Sequence, residues 1–235
     1  HKKIIEIAVK ECKGKIPVIA GTGSNSTDEA VELSKFAEKA GSNALLVVTP
    51  YYNKPTQEGL FQHYKKINDS VGIPIIIYNI PSRSVIDMSV ETMSKLYELK
   101  NISGVKDATG DLNRVDQQLK AMGKEFIQLT GNDDNALEFN KRGGVGAIGV
   151  TANIAAKMSS DFQKACEEKN GMAETLDKLL QPLHSALFIE SNPSPVKYAA
   201  SLLGMCNSSV RLPLVEIREE TKKKVSEALK VAKLL

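Results

Sequence analysis

IPIIIYNI, residues 73–80, decides the fold. The run is short, β-branched and bounded by Pro and Asn, which is the pattern of a strand buried in a parallel sheet. Five similar runs flank it: IPVIAGTG (16–23), ALLVVTP (44–50), ISGVKDAT (102–109), FIQLTGN (126–132) and VGAIGVTA (145–152). Between them lie segments that mix polar and apolar residues at helical spacing, such as STDEAVELSKFAEKAG, TQEGLFQHYKKINDSVG and SVETMSKLYELK. The first of these has Ser26 or Thr27 as its N-cap, acidic Asp28 and Glu29 at the positive end of the helix dipole, and Gly41 as its stop.

Six strand–helix units in succession leave two architectures, a (β/α)8 TIM barrel or an open doubly wound sheet. No GxGxxG follows the first strand and no GxxxxGK[ST] occurs, which weakens the nucleotide-binding open sheet. At the start, Ile4, Ile5, Ala8 and Val9 recur at helical spacing, and six strands are two short of a barrel. The expectation is an α/β (β/α)8 TIM barrel whose first two strands lie outside this sequence. Residues 1–155 form the barrel portion. Residues 156–235 supply the last barrel helix and a C-terminal helical region of the same domain, with helices near 157–169, 172–188, 194–204 and 218–234.

Of the 235 residues, 42% are hydrophobic and 25% charged, with a net charge of +3, the profile of a globular domain with one large core. That charge is too mild to predict a nucleic-acid or membrane partner. The lysine-rich run at 218–224 alternates with Glu219 and Glu220 and reads as a solvated helix face. Cys12, Cys166 and Cys206 are far apart and His1, His63 and His184 equally scattered, so neither a disulfide framework nor a metal site is predicted. No apolar run reaches 18 residues and no signal-peptide pattern is present, so a cytoplasmic location is expected.

Barrel active sites gather at the C-terminal ends of the strands. Those ends carry Thr22 and Gly23; Thr49, Tyr51 and Tyr52; Tyr78, Asn79 and Arg83; Lys106 and Asp107; Gly131, Asn132 and Asp133; Ile148 and Gly149. Alternation puts Ile102, Gly104 and Lys106 on one face of their strand, and Ser103, Val105 and Asp107 on the other. If Lys106 and Tyr78 both point inward, an amine and a phenol meet at one mouth. An amine kept partly from water can attack a carbonyl to form a Schiff base, and a phenol can shuttle the protons. Arg83 offers a fork for a carboxylate. The residues therefore point to a lyase or aldolase acting on an oxo acid. An ion pair between Lys106 and Asp107 is the competing reading. Asp133 and Asp134 are adjacent carboxylates, read as N-terminal caps of the helix begun by ALEFNK rather than as an acid–base pair.

YYNKPTQEGL (51–60), IIIYNIPSRS (75–84), GVKDATGDLNRV (104–115) and GGVGAIGVTAN (143–153) closely resemble the dihydrodipicolinate synthase family, as do GTGSNST (21–27) and NPSPVK (192–197). The resemblance runs over nearly the whole chain. It implies a (β/α)8 barrel that condenses pyruvate with L-aspartate 4-semialdehyde to 4-hydroxy-tetrahydrodipicolinate in lysine and diaminopimelate biosynthesis. By resemblance, Lys106 forms the imine with pyruvate, so no cofactor is needed, and Tyr78 relays protons above it. Tyr52 reaches the neighbouring subunit's site across a tight dimer, and Arg83 binds the semialdehyde carboxylate. Gly131 and Ile148 line the pyruvate pocket. His1, Asn25, Glu29 and Tyr51 match positions where some members bind L-lysine as a feedback inhibitor. The implied assembly is a homotetramer, a dimer of dimers.

Other pyruvate-dependent aldolases, such as N-acetylneuraminate lyase, share the tyrosine and lysine, and Arg83 is the feature that separates them. The family's GTTGE-type segment, which supplies a relay threonine and N–H groups for the pyruvate carboxylate, has no match here; GTGS (21–24) matches the next strand. A six-stranded barrel remnant without that segment is expected to be inactive, and to need an oligomer partner over its open edge.

Overall fold

The computed structural model describes residues 1–235. The chain divides into two compact units, residues 1–131 with 142–145, and residues 132–141 with 146–235. The second unit thus takes in short helices that precede residue 156.

The first unit contains α1 (Lys2–Cys12), β1 (Ile19–Gly21), α2 (Thr27–Ala40), β2 (Ala44–Val48), α3 (Gln57–Asn68), β3 (Ile75–Asn79), α4 (Pro81–Ser84), α5 (Val90–Tyr97), β4 (Ile102–Asp107), α6 (Asn113–Met122) and β5 (Ile127–Thr130). The strands form one parallel sheet in the order β1-β2-β3-β4-β5, each pairing with its predecessor in sequence. Parallel neighbours need a crossover, and the helices supply it. Leu45, Val47, Ile75, Ile77 and Val105 of the sheet are fully buried, in one cluster with Leu60, Tyr64 and Ile67 of α3 and Met93 and Leu96 of α5. Each such side chain stabilises by about 1.5–3 kcal/mol. The Tyr64 hydroxyl satisfies itself by donating to the Val47 carbonyl at 2.7 Å. Asn68 and Asn101 lock the end of α3 to the start of β4: the Asn101 N–H donates to Asn68 Oδ1 at 2.9 Å, and its amide reaches the carbonyls of Asn68 and Val71.

Local signals placed the helix ends well. Ser26 caps α2 by accepting from the Glu29 N–H, and Gly41 closes it with φ 97°. Thr56 and Ser89 cap α3 and α5 in the same way, each contribution worth about 1 kcal/mol. In α1, Ile5 is buried, but Ile4 is 71% exposed.

The run 145–152 departs from expectation: it forms no strand, only an isolated bridge at Ala147. Two glycines explain this: Gly143, just before the run, and Gly146, inside it, adopt φ 117° and 157°, outside the extended region of an L residue.

The second unit is helical: α7 (Ala136–Lys141), α8 (Ala156–Glu167), α9 (Met172–Ala186), α10 (Ser194–Leu202) and α11 (Glu219–Val231), with 3-10 turns at Asp133–Asn135 and Thr151–Asn153. Phe162, Leu180, Leu183, Leu187, Val225 and Leu229 make its core. No helix is long and apolar enough to cross a membrane.

Candidate active site

Strand register builds the site. On β3 and β4, Tyr78 pairs with Lys106 and Asn79 with Asp107. Register partners on parallel strands share a face, so Tyr78 and Lys106 lie together, with Asn79 and Asp107 on the other side. The Lys106 Nζ stands 3.9 Å from the centroid of the Tyr78 ring. Lys106 is only 9% exposed. Burial raises the Tyr78 phenol above its ordinary 10.0, and the charge of Arg83 partly offsets this. Tyr78 therefore holds its proton at neutral pH and begins as a donor.

Gly131 leaves room for the lysine. A Cβ there would lie 2.6 Å from the Ala108 Cβ and 3.0 Å from the Lys106 Cε. Only hydrogen fits beside the lysine stem without movement of these neighbours.

Asp107 has its own partners. Its carboxylate accepts from the Arg114 Nε at 2.9 Å, the Gln118 Nε2 at 3.0 Å, the Thr109 N–H at 2.9 Å and the Thr109 hydroxyl at 2.6 Å. The ion pair it makes is with Arg114, and both side chains are buried. Arg114 was missed in the sequence. One faint signal existed: a cation in the first turn of α6 opposes the helix dipole, so it calls for a buried anion.

Arg83 lies in the single turn of α4, exposed, and close enough for its charge to act on Tyr78. Val85 follows at φ 61°, a strained conformation for a β-branched residue. Tyr51 and Tyr52 occupy the loop after β2, where Tyr52 is 87% exposed at φ 73°. The structure thus brings Lys106, Tyr78 and Gly131 together, with Arg83 in electrostatic range. Ile148 lies half-buried in the second unit, between the Ala147 bridge and the Thr151–Asn153 turn.

Other strand-end candidates hydrogen-bond within the fold. The buried Thr22 accepts from the Ser34 hydroxyl at 3.0 Å, and the buried Thr49 donates to Ser84 at 3.2 Å. Asp133 does not cap the ALEFNK helix. Its carboxylate accepts from the N–H groups of Val150 and Thr151 at 2.6 and 3.0 Å, and so caps the Thr151–Asn153 turn instead. The reason is tertiary: those donors come from a loop 17 residues away.

The four candidate effector positions fall in the first unit. The His1 ring hydrogen-bonds the Gly21 carbonyl at 2.7 Å. Ser24 donates to the Glu29 carboxylate, and Asn53 links the Asn25 and Tyr51 carbonyls. No group of three or more His, Cys, Asp or Glu side chains is arranged to hold a metal ion.

The model of the dihydrodipicolinate synthetase family matches residues 1–232. The chain is 68% identical to the 4-hydroxy-tetrahydrodipicolinate synthase of Pelagibacter ubique over 239 residues, spanning 100% of this chain and 82% of the relative. It is 56% identical to that of Bradyrhizobium diazoefficiens, spanning 100% of this chain and 80% of the relative. The solved structure of the chloride-inhibited dihydrodipicolinate synthase from Acinetobacter baumannii, complexed with pyruvate, superposes with a TM-score of 0.97 at 44% identity, covering 100% of this chain and 81% of that one. The fold is accordingly that of an α/β TIM barrel.

Proposed function

The chain belongs to the dihydrodipicolinate synthetase family, lyases that condense pyruvate with L-aspartate 4-semialdehyde in lysine biosynthesis, and from that premise we propose that Lys106 is the group that takes up pyruvate. The observation that carries this reading is the buried amine held 3.9 Å from the ring centre of Tyr78.

The Lys106 amine adds to the keto carbon of pyruvate. Tyr78 gives its proton to the resulting hydroxyl, which departs as water and leaves a protonated imine. The phenolate so formed takes a proton from the methyl group, and the enamine carbon attacks the aldehyde of the second substrate, whose new alkoxide takes that proton back. The amine of the second substrate then adds to the imine carbon, closing the ring and expelling the Lys106 amine. Positioning the two groups on rigid strands supplies much of the rate. Arg83 holds the semialdehyde carboxylate, while Gly131 and Ile148 line the space for pyruvate. The covalent imine makes a separate cofactor unnecessary.

Tyr52, exposed at the tip of its loop, reaches the neighbouring subunit's site in a tight dimer, and two such dimers make a homotetramer. L-Lysine binds at His1, Asn25, Glu29 and Tyr51, where Glu29 pairs with an ammonium group. The protein works in the cytoplasm.

Incubation of the full-length protein with pyruvate and borohydride, followed by peptide mapping, tests the assignment. A reduced adduct on Lys106 is expected. Adduct on another lysine, or none, would sink it.

A further inference from the structure

We propose that Arg114 is a positioning residue that holds the Lys106 amine over Tyr78. The proposal rests on Lys106 as the imine-forming group and adds the device that aims it.

The device is a ring of hydrogen bonds on the face opposite the reacting pair. Its two anchors, Asn79 and Asp107, are register partners directly after Tyr78 and Lys106. Arg114 donates Nε to Asp107 at 2.9 Å and Nη2 to the Met88 carbonyl at 2.8 Å, and its Nη1 faces Asp87 at 3.5 Å. Asp87 in turn accepts from the Asn79 amide at 2.7 Å, and the Asn79 oxygen accepts from the Met88 N–H at 3.0 Å. The ring therefore runs from the tip of β4, through α6, to the loop after α4, and back to the tip of β3.

Twisting either strand tip breaks at least one of these bonds. Asp107 and Arg114 are buried, where loss of a partner is costly. Lys106 and Tyr78 are each one residue from an anchor, so the ring limits how far amine and phenol can drift apart. Only a planar fork can serve Asp107, Asp87 and the Met88 carbonyl at once, which is why the residue is arginine.

Two variants test this in the full-length protein. Arg114→Lys keeps the charge and loses the fork. Asp87→Asn is isosteric at a half-exposed position, and puts an amide where Arg114 needs an acceptor. Timed trapping with pyruvate and borohydride reads two quantities separately: the number of trappable sites and the rate at which each reacts. Both variants are expected to react about tenfold to a hundredfold more slowly per site, with KM for the semialdehyde unchanged. A merely structural role would reduce the number of sites, or the melting temperature, and leave the rate per site alone. That result in either variant overturns the proposal. Failure of the unsubstituted protein to trap at Lys106 is a different outcome, because it removes the lysine assignment itself.

Discussion

Tyr78 and Lys106 occupy one register position on neighbouring parallel strands, and the lysine nitrogen lies 3.9 Å from the centre of the tyrosine ring. The ring gives the amine a face; in the proposed mechanism its hydroxyl also gives a proton. Tyr78→Phe keeps the face and removes the proton. Turnover is expected to fall by about 10²–10⁴-fold. Slower trapping at an unchanged site is the matching sign in a borohydride experiment. Full turnover in the variant would remove Tyr78 from the proton relay.

Gly131→Ala introduces a methyl group 3.0 Å from the Lys106 Cε and 2.6 Å from the Ala108 Cβ. Overpacking of this kind costs roughly 1–3 kcal/mol. Urea unfolding should report that loss, and the lysine should react with pyruvate more slowly. Unchanged stability and unchanged trapping together would show that the neighbours yield freely.

Arg83 is exposed, and its charge acts on Tyr78. Arg83→Ala is expected to leave pyruvate trapping intact and to raise KM for aspartate semialdehyde by about 10–100-fold, the worth of a charge-assisted hydrogen bond. Steady-state kinetics with each substrate varied in turn decides this. An enzyme indifferent to the change would favour a lyase for another pyruvate-derived substrate.

Burial holds the His63 imidazole at about 4, below its ordinary 6.5. The folded chain disfavours the charged ring, so the stability tied to His63 is complete above pH 6.5. It declines as pH falls through that value and is lost by about pH 4. The loss amounts to roughly 3 kcal/mol. His63→Gln removes the titrating ring while preserving a partner for Thr27, which lies 2.9 Å from Nδ1. Unfolding free energies at pH 7 and pH 4.5 should differ more in the unsubstituted protein than in the variant. Equal differences would acquit His63.

Much of the fold was legible because its determinants are local. The runs at 73–80 and 102–109 became β3 and β4 since nothing inside them resists extension. Ser26 and Gly41 marked α2 through bonds made within a few residues. VGAIGVTA misled for the same local reason: its apolar residues suggested a strand, but the backbone at Gly143 and Gly146 does not allow one.

For the site, the residue types and their strand-end positions were readable. Lys106, Tyr78 and Arg83 stand out chemically, and alternation alone put Lys106 and Asp107 on opposite faces. Sequence could not choose the partners of Asp107 or Asp133. Those depend on where α6 and the 150–151 loop come to rest, at separations of 7 and 17 residues from the carboxylates they serve. Residue type and short-range periodicity are properties of the chain, so the sequence by itself determined the parallel strands, the helix caps and the chemically able side chains. Register and burial are properties of the packed sheet. Only the tertiary structure decided that the amine lies over the phenol, that Gly131 must be small, and that Arg114 pairs with Asp107.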